Sequence, residues 1–382
     1  MEQFPTEPRL RVLLVASPLV CRVAQQMLRN AAEIEVCGTV RAGREALALL
    51  PSLRPQVICV SDELVGMSAL ELTREIMSRH ACPILIMQSL CGLEPSAAAR
   101  ESVFALLQAG AVDVFSMSSI VPGPDSPQTR QLIAKIKMVA RVPVISRLQR
   151  SIPAPETSDS TAALTVARLS PRTLSLSGST GRAVPASPSV SASVVGTRVV
   201  AIGASTGGPQ ALLAVLSELP RDYALPVLCV QHISKGFIGG LIEWLDGQCA
   251  LKVRIARAGE IPTPGTVYFP EEDKHLELDE SDGTIRLSLS PAVDGHRPSA
   301  TTLFQSVARR SRSRGIAVLL TGMGCDGAKG LQAVHEAQGI TIAQNQESCV
   351  VFGMPAAAIQ LGAAQQVLPL GAIGKKLVAL GK

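Results

Sequence analysis

Short apolar runs alternate with amphipathic stretches along most of the chain. In the first third, runs at 11–16, 34–40, 57–60, 83–87 and 112–115 predict strands, and stretches at 20–30, 42–50, 69–79, 96–108 and 128–139 repeat apolar residues at helical spacing. Five strand–helix units of this size predict a doubly wound parallel sheet, whose ligand sites lie beyond the carboxyl ends of its strands. The alternation resumes at residue 198. Strands are expected at 199–203, 226–231, 252–256, 266–269, 316–321, 340–343 and 366–369. Helices are expected at 209–219, 237–246, 300–311, 327–337, 355–361 and 373–380. Runs at 275–278 and 284–289, set apart by Asp282-Gly283, predict a β-hairpin inserted in this second frame. The expected fold class is α/β, with two doubly wound parallel-sheet domains, the second Rossmann-like with a hairpin insertion.

Between about 146 and 193 the pattern dissolves into Ser, Thr, Pro and Ala, and Pro153, Pro155, Pro171, Pro185 and Pro188 break any periodicity. Such a stretch is a flexible tether. The expected organisation is a first domain over 1–145, a linker over 146–194 and a second domain over 195–382.

Composition changes this picture in three places. Aromatics are only 3%, so the cores must be built from Ala, Val, Leu and Ile, which suits parallel sheets and argues against base-stacking platforms. The net charge of +5 sits in the linker and its immediate flanks, where seven arginines from 141 to 198 face only Glu156 and Asp159. A tether, not a binding face, carries the basic excess, and no nucleic-acid partner is expected. The nine cysteines include no C-x-x-C pair, and Cys59 and Cys229 lie inside apolar runs, which reads as reduced thiols rather than a disulfide framework or a zinc site. No apolar stretch approaches a membrane span and Met1-Glu2-Gln3-Phe4-Pro5 is not a signal peptide, so a cytoplasmic protein without membrane insertion is expected.

Candidate chemistry centres on Val199-Val200-Ala201-Ile202-Gly203-Ala204-Ser205-Thr206-Gly207-Gly208-Pro209. It reads as a buried strand, a tight turn and a helix with proline in its first turn, and it fits G-x-S-x-G, which makes Ser205 a candidate nucleophile. A serine nucleophile needs a base, and the base needs a carboxylate to fix its tautomer. Of the five histidines, His80, His275, His296 and His335 fall at a helix end, a hairpin strand, a polar loop and a helix interior. Only His232 directly follows an apolar strand, at the same sheet edge as Ser205. For the carboxylate, Asp326 stands in a glycine-studded turn after the 316–321 run, where it also suits a helix cap; Asp294 is the other candidate.

Two resemblances sharpen these expectations. Arg11-Val12-Leu13-Leu14-Val15, Gly43-Arg44-Glu45-Ala46-Leu47, Pro55-Gln56-Val57-Ile58 and Ala109-Gly110-Ala111-Val112-Asp113 resemble the receiver domain of bacterial response regulators. That resemblance implies a phosphoryl-accepting aspartate, a Mg²⁺-holding acidic pair, a hydroxyl and a lysine. Here the corresponding positions are Ser61, Ala16 and Ser17, Gln88, and Met117. Asp62, one residue on, points to the opposite face. No phosphoacceptor is therefore expected, and the first domain reads as a pseudo-receiver kept for docking or gating.

Residues 198–380 resemble the catalytic domain of the chemotaxis protein-glutamate methylesterases, the CheB-type enzymes. The resemblance is carried by Gly203-Ala204-Ser205-Thr206-Gly207-Gly208-Pro209, Val230-Gln231-His232, Gly295-His296-Arg297-Pro298-Ser299, Leu320-Thr321-Gly322-Met323-Gly324-Cys325-Asp326-Gly327-Ala328 and Gly353-Met354-Pro355. It implies Ser205 as nucleophile, His232 as base and Asp326 as carboxylate. The implied substrate is a glutamate γ-methyl ester on the cytoplasmic helices of chemoreceptors, with glutamine deamidation at the same site. Backbone N–H groups of Thr206 and Met323 are the candidate oxyanion donors, and no metal or organic cofactor is needed. A chemotaxis histidine kinase is a further candidate contact. Three other readings are weaker. A small-ester α/β-hydrolase would place its histidine after the acid, where only the helical His335 stands; a nucleotide site lacks G-x-G-x-x-G and a Walker lysine; a non-catalytic adaptor leaves the esterase residues unexplained.

Overall fold

Val57-Ile58-Cys59-Val60-Ser61 is buried at every position, the pattern of a strand covered by helices on both faces, and it forms the middle strand of a five-stranded sheet. The computed structural model describes residues 9–62, 64–89, 97–117, 123, 125–142 and 198–382. The tether expected at 146–194 lies outside them.

The first sheet is built from β1 (Leu10–Val15), α1 (Pro18–Leu28), β2 (Ile34–Val40), α2 (Gly43–Leu53), β3 (Val57–Ser61), α3 (Ala69–Arg79), β4 (Ile84–Ser89), α4 (Ala97–Ala109), β5 (Asp113–Met117) and α5 (Pro127–Val139). Its strands pair in parallel in the order β2-β1-β3-β4-β5, the doubly wound arrangement expected. Serines start several of its helices. Ser17 and Ser126 accept from backbone N–H groups in the first turns of α1 and α5, and Ser68 with Glu71 forms a reciprocal capping box on α3.

The second sheet follows from β6 (Val199–Ala204), α6 (Gly208–Leu216), β7 (Val227–Gln231), α7 (Ile238–Asp246), β8 (Lys252–Ile255), β9 (Thr266–Phe269), β10 (His275–Leu278), β11 (Ile285–Ser288), α8 (Ala300–Ser311), β12 (Gly315–Leu319), α9 (Ala328–Glu336), β13 (Ile340–Gln344), α10 (Met354–Gln360), β14 (Gln366–Leu368) and α11 (Leu370–Leu380). Seven strands lie in the order β14-β13-β12-β6-β7-β9-β8, and every registered pair is parallel. β10 and β11 form a separate antiparallel ribbon. Its connection is longer than the Asp282-Gly283 pair suggested: Asp279 N–H bonds Thr284 O at 2.8 Å, while Asp282 Oδ1 accepts from Thr284 N at 2.8 Å inside the loop.

Helices cover both faces of this sheet. Leu303, Phe304 and Val307 of α8 and Leu331 and Val334 of α9 pack with Ala201 and Ala317 on one face. Leu212 and Val215 of α6, Leu241 of α7 and Leu377 of α11 pack with Val200 and Ile202 on the other. Phe104 and Leu107 of α4 join this second cluster, with the Phe104 ring stacked 5.6 Å from that of Trp244. The two sheets with their helices thus belong to one compact unit.

Chain order reverses at β6, which is flanked by β7 on one side and β12 on the other. Such a switch point opens a crevice at the carboxyl ends of the strands.

Candidate active site

Three neighbouring strands end level at that crevice. Ala204 is in register with Gln231, and Gly203 with Leu319, so the next residues of β6 and β7 are Ser205 and His232. Backbone bonds extend the ladder past the strands, with Ser205 N–H donating to Thr321 O and His232 N–H to Ala204 O, both at 3.0 Å. Glycine makes the turn possible in two ways. Gly207 has φ 74°, a left-handed conformation that L side chains rarely adopt, and it precedes the first residue of α6. A Cβ on Gly322 would stand 2.7 Å from the Ser205 Cβ, so only glycine lets the 322 turn approach the serine this closely.

Asp326 is buried and fully used. Its Oδ2 accepts from Ala300 N at 2.7 Å and lies 2.8 Å from His232 Nε2; its Oδ1 accepts from Ser299 Oγ at 2.7 Å and Thr301 N at 3.1 Å. Burial alone would raise this carboxyl. The His232 hydrogen bond and charge, with the Ser299 and Ala300 donors, outweigh it and hold the group well below the usual carboxylate range. The capping alternative is thereby resolved in an unexpected way. The residue before α9 is Gly327, at φ 87°, with no side-chain cap, whereas Asp326 sits on the amino terminus of α8, where a helix dipole favours negative charge.

An ionised Asp326 only accepts, so Nε2 of His232 carries the proton and Nδ1 is left with a lone pair. Relative to the familiar serine-protease template the ring is reversed, since there the carboxylate holds Nδ1. Nδ1 of His232 is buried and has no hydrogen-bond partner. His232 lines a small cavity of about 20 Å³, room for about one water, which Ser205 also lines. The walls include Phe104 and Leu107 of α4, Asp113 of β5 and Phe237. The serine–histidine hydrogen bond is not made in this structure. Around the turn, the N–H groups of Thr206 and Met323 donate to no other group among the described residues.

Three residues that build the site were quoted in the sequence reading but given no role there. Gln231, the last residue of β7, is buried; its Nε2 donates to Ser205 O at 2.7 Å and to His232 O at 2.8 Å, so one amide spans both turns. A Cβ on Gly208 would run into this carboxamide. His296 lies flat on His232, ring centroids 3.8 Å apart and planes 5° from parallel. Ser299 supplies the shortest bond to Asp326 Oδ1. A polar residue inside the apolar β7 run was the available signal for Gln231, while the other two sat in a loop without periodicity.

The remaining candidates are elsewhere. Asp294 is exposed in the turn that carries His296. His275 is buried and occupied, Nδ1 accepting from Ser299 N and Nε2 donating to Pro291 O, each at 3.2 Å. His335 lies in the last turn of α9 and does not line the cavity. At the receiver-like positions, Ala16, Ser61, Gln88 and Met117 are all buried, and Ser17 caps α1. Among the described residues no group of three or more His, Cys, Asp or Glu could hold a metal ion, and no helix is long and apolar enough to cross a membrane.

Residues 200–377 match the family model described as CheB methylesterase. The protein-glutamate methylesterase/protein-glutamine glutaminase of Nitrosospira multiformis is 36% identical over 373 residues, 97% of each chain. A protein of the same name from Geobacter metallireducens is 36% identical over 377 residues, 97% of this chain and 99% of that one. Among solved structures, the Thermotoga maritima CheB methylesterase catalytic domain is 40% identical, covering 49% of this chain and all of that one, with a TM-score of 0.47. The chain therefore belongs to the CheB methylesterase family.

Proposed function

We propose that the protein is a protein-glutamate methylesterase, also able to deamidate glutamine, acting on the cytoplasmic helices of chemoreceptors through Ser205, His232 and Asp326. The observation that carries this reading is the imidazole of His232, held at Nε2 by Asp326 with Nδ1 unpartnered, in a residue that lines the same cavity as Ser205. Ser205 Oγ attacks the ester carbonyl while Nδ1 takes its proton; the acyl-enzyme forms as the protonated His232 returns that proton to the departing methoxide, releasing methanol. Water then enters, gives a proton to Nδ1 and attacks the acyl carbon; as the acyl–Oγ bond breaks, His232 returns that proton to Ser205 Oγ, which yields glutamate and free serine. For a glutamine side chain the same proton goes to departing ammonia. The developing oxyanion is received by the Thr206 and Met323 N–H groups, and each such donor contributes on the order of 10²–10³ in rate.

Access is controlled by the first sheet in this reading. A cavity of about 20 Å³ does not admit a glutamyl ester, and α4 and β5 wall it. With Ser61 at the acceptor position, that cover is moved by a binding partner, a receptor or a chemotaxis histidine kinase, rather than by phosphorylation. Methanol release from methylated receptor by the full chain tests the assignment. Ser205→Ala should abolish it with an unchanged circular dichroism spectrum, and turnover retained in that variant would overturn it.

A further inference from the structure

A hydrogen bond at one edge of an imidazole fixes a point, not a plane. His232 is joined to Asp326 at Nε2 alone, so its ring could swing about the Nε2···Oδ2 line and carry Nδ1 away from the serine. The parallel ring of His296, 3.8 Å away and tilted by 5°, removes that freedom. We propose that His296 is a positioning residue for the esterase reaction, holding the plane of the His232 imidazole so that Nδ1 meets the Ser205 hydroxyl.

The stacking ring is itself held. Val293 and His296 exchange backbone bonds of 3.0 and 2.9 Å, closing a tight turn. Arg297 anchors the next residue, with Nε on Asp273 Oδ1 at 3.1 Å and a nitrogen on Leu289 O at 3.1 Å. Two residues further, Ser299 reaches Asp326 Oδ1. One loop thus supports the base from its flat face and the carboxylate from its far oxygen.

Electrostatics agree with this role. The charged or titratable groups acting on the stack are Asp326 at the edge of His232 and Asp294 in the turn of His296, and Asp113 lines the cavity that His232 lines. Burial, then the neighbouring His232, push His296 down to about 4, against a smaller upward pull from Asp326 and Asp294. His296 therefore stays neutral while His232 takes up its proton, and a neutral aromatic face tolerates the imidazolium beneath it.

This inference rests on the proposed esterase activity, and its test separates the two. In the full chain, ¹⁵N spectra of the His232 ring report its tautomer without any substrate, and methanol release from methylated receptor gives kcat and KM. His296→Ala should convert the single Nε2–H tautomer into a mixture and lower kcat about 10–100-fold with KM within about twofold, since a misplacement of about 1 Å costs on the order of 10². His296→Phe keeps a flat ring and should restore the tautomer and bring kcat within about threefold of the parent. If His296→Ala folds poorly, His296→Leu, which fills the space without a flat ring, is read in the same way. A wild-type tautomer and kcat in the Ala or Leu variant overturns the proposal, as does a Phe variant as impaired as Ala. A parent chain that releases no methanol from methylated receptor even with the chemotaxis histidine kinase added removes the esterase reading, and the tautomer comparison still decides whether the stack orients the ring.

Discussion

Thr206 Oγ1 donates to Asp113 Oδ2 at 3.0 Å, tying the turn after β6 to the first residue of β5 in the other sheet. The same carboxylate oxygen takes Lys135 Nζ from α5. Nearby, Gln210 Nε2 of α6 donates to Leu107 O at 2.9 Å. A proposed oxyanion donor is thus anchored to the very elements that close the cavity.

Loosening that anchor should raise activity. A net hydrogen bond is worth about 1 kcal/mol, or roughly a fivefold change in the balance between covered and uncovered states. Asp113→Ala is expected to increase methanol release several-fold in the full chain. Unchanged or lower release from a variant with the parent's thermal midpoint would show that this contact does not keep the site shut.

Asp326→Asn attacks the pair from the other side. An amide cannot accept from four donors, so at least one of Ala300 N, Thr301 N, Ser299 Oγ or His232 Nε2 meets an N–H instead of an oxygen. The Nε2–H tautomer loses its anchor, and kcat should fall on the order of 10⁴, the scale seen when a triad carboxylate becomes an amide. Stability should fall by about 1–3 kcal/mol for the mismatched buried donor. Kinetics and urea unfolding of the same preparation check both; a variant within tenfold of the parent's kcat removes Asp326 from the mechanism.

How far the sequence carried this reading differs between elements. The strands were legible because both sheets are buried on both faces and spell near-continuous apolar runs, as in Val57–Ser61 and Val227–Gln231. Ser205, His232 and Asp326 could be singled out because each follows such a run, and parallel strands bring their carboxyl ends together. Which helix Asp326 would serve was not legible: local sequence offers α9, but tertiary packing presents the amino terminus of α8. The stack of His296 on His232 was hidden for the same reason, since 64 residues of chain separate the rings and no period marks the loop.

Acid should weaken the fold in two separable windows. His296 has a folded pKa of about 4 against an unfolded value near 6.5, so between these limits the unfolded chain binds more protons. Stability then rises with pH across that window, and this contribution is fully present above about 6.5 and lost as pH falls toward 4. Asp326 has a depressed folded value, so its contribution is present above the unfolded carboxyl value of about 3.9 and is lost only at lower pH. After allowance for solvent screening, the His296 part is about 1 kcal/mol. Urea midpoints at pH 7.5 and 4.5 should therefore lie closer together in His296→Phe than in the parent. An identical difference in both proteins would mean that His296 titrates normally.

Gln231 should prove more sensitive to charge than to volume. Gln231→Leu leaves His232 O without its side-chain donor, although Ser205 O keeps Gly208 N at 2.8 Å, and about 1–3 kcal/mol of stability should be lost. Gln231→Glu places oxygen against both carbonyls and should be worse, with a lower thermal midpoint at pH 8 than the Leu variant. Because the amide joins the turns that carry Ser205 and His232, two residues of the proposed mechanism, kcat should fall in both more than KM changes. Equal midpoints for the Leu and Glu variants would show that the amide does not donate to these two carbonyls.

Phosphorylation should have no effect on this chain. Receiver chemistry needs hard oxygen ligands for Mg²⁺ and a cation for the phosphoryl oxygens. At those places stand Ala16, buried and apolar; Ser17, engaged with Val20 N; and Met117, buried and uncharged. Ser61 at the end of β3 is buried, and its hydroxyl donates to Asp62 Oδ1 at 3.3 Å. Gln88 fills the hydroxyl position from β4 and is buried as well. Acetyl phosphate with Mg²⁺ should add no mass to the intact protein, and methanol release should be the same with and without it. A carboxylate-linked phosphoryl group that also speeds methanol release would return this half of the chain to ordinary receiver chemistry, with Asp62 as the first residue to replace.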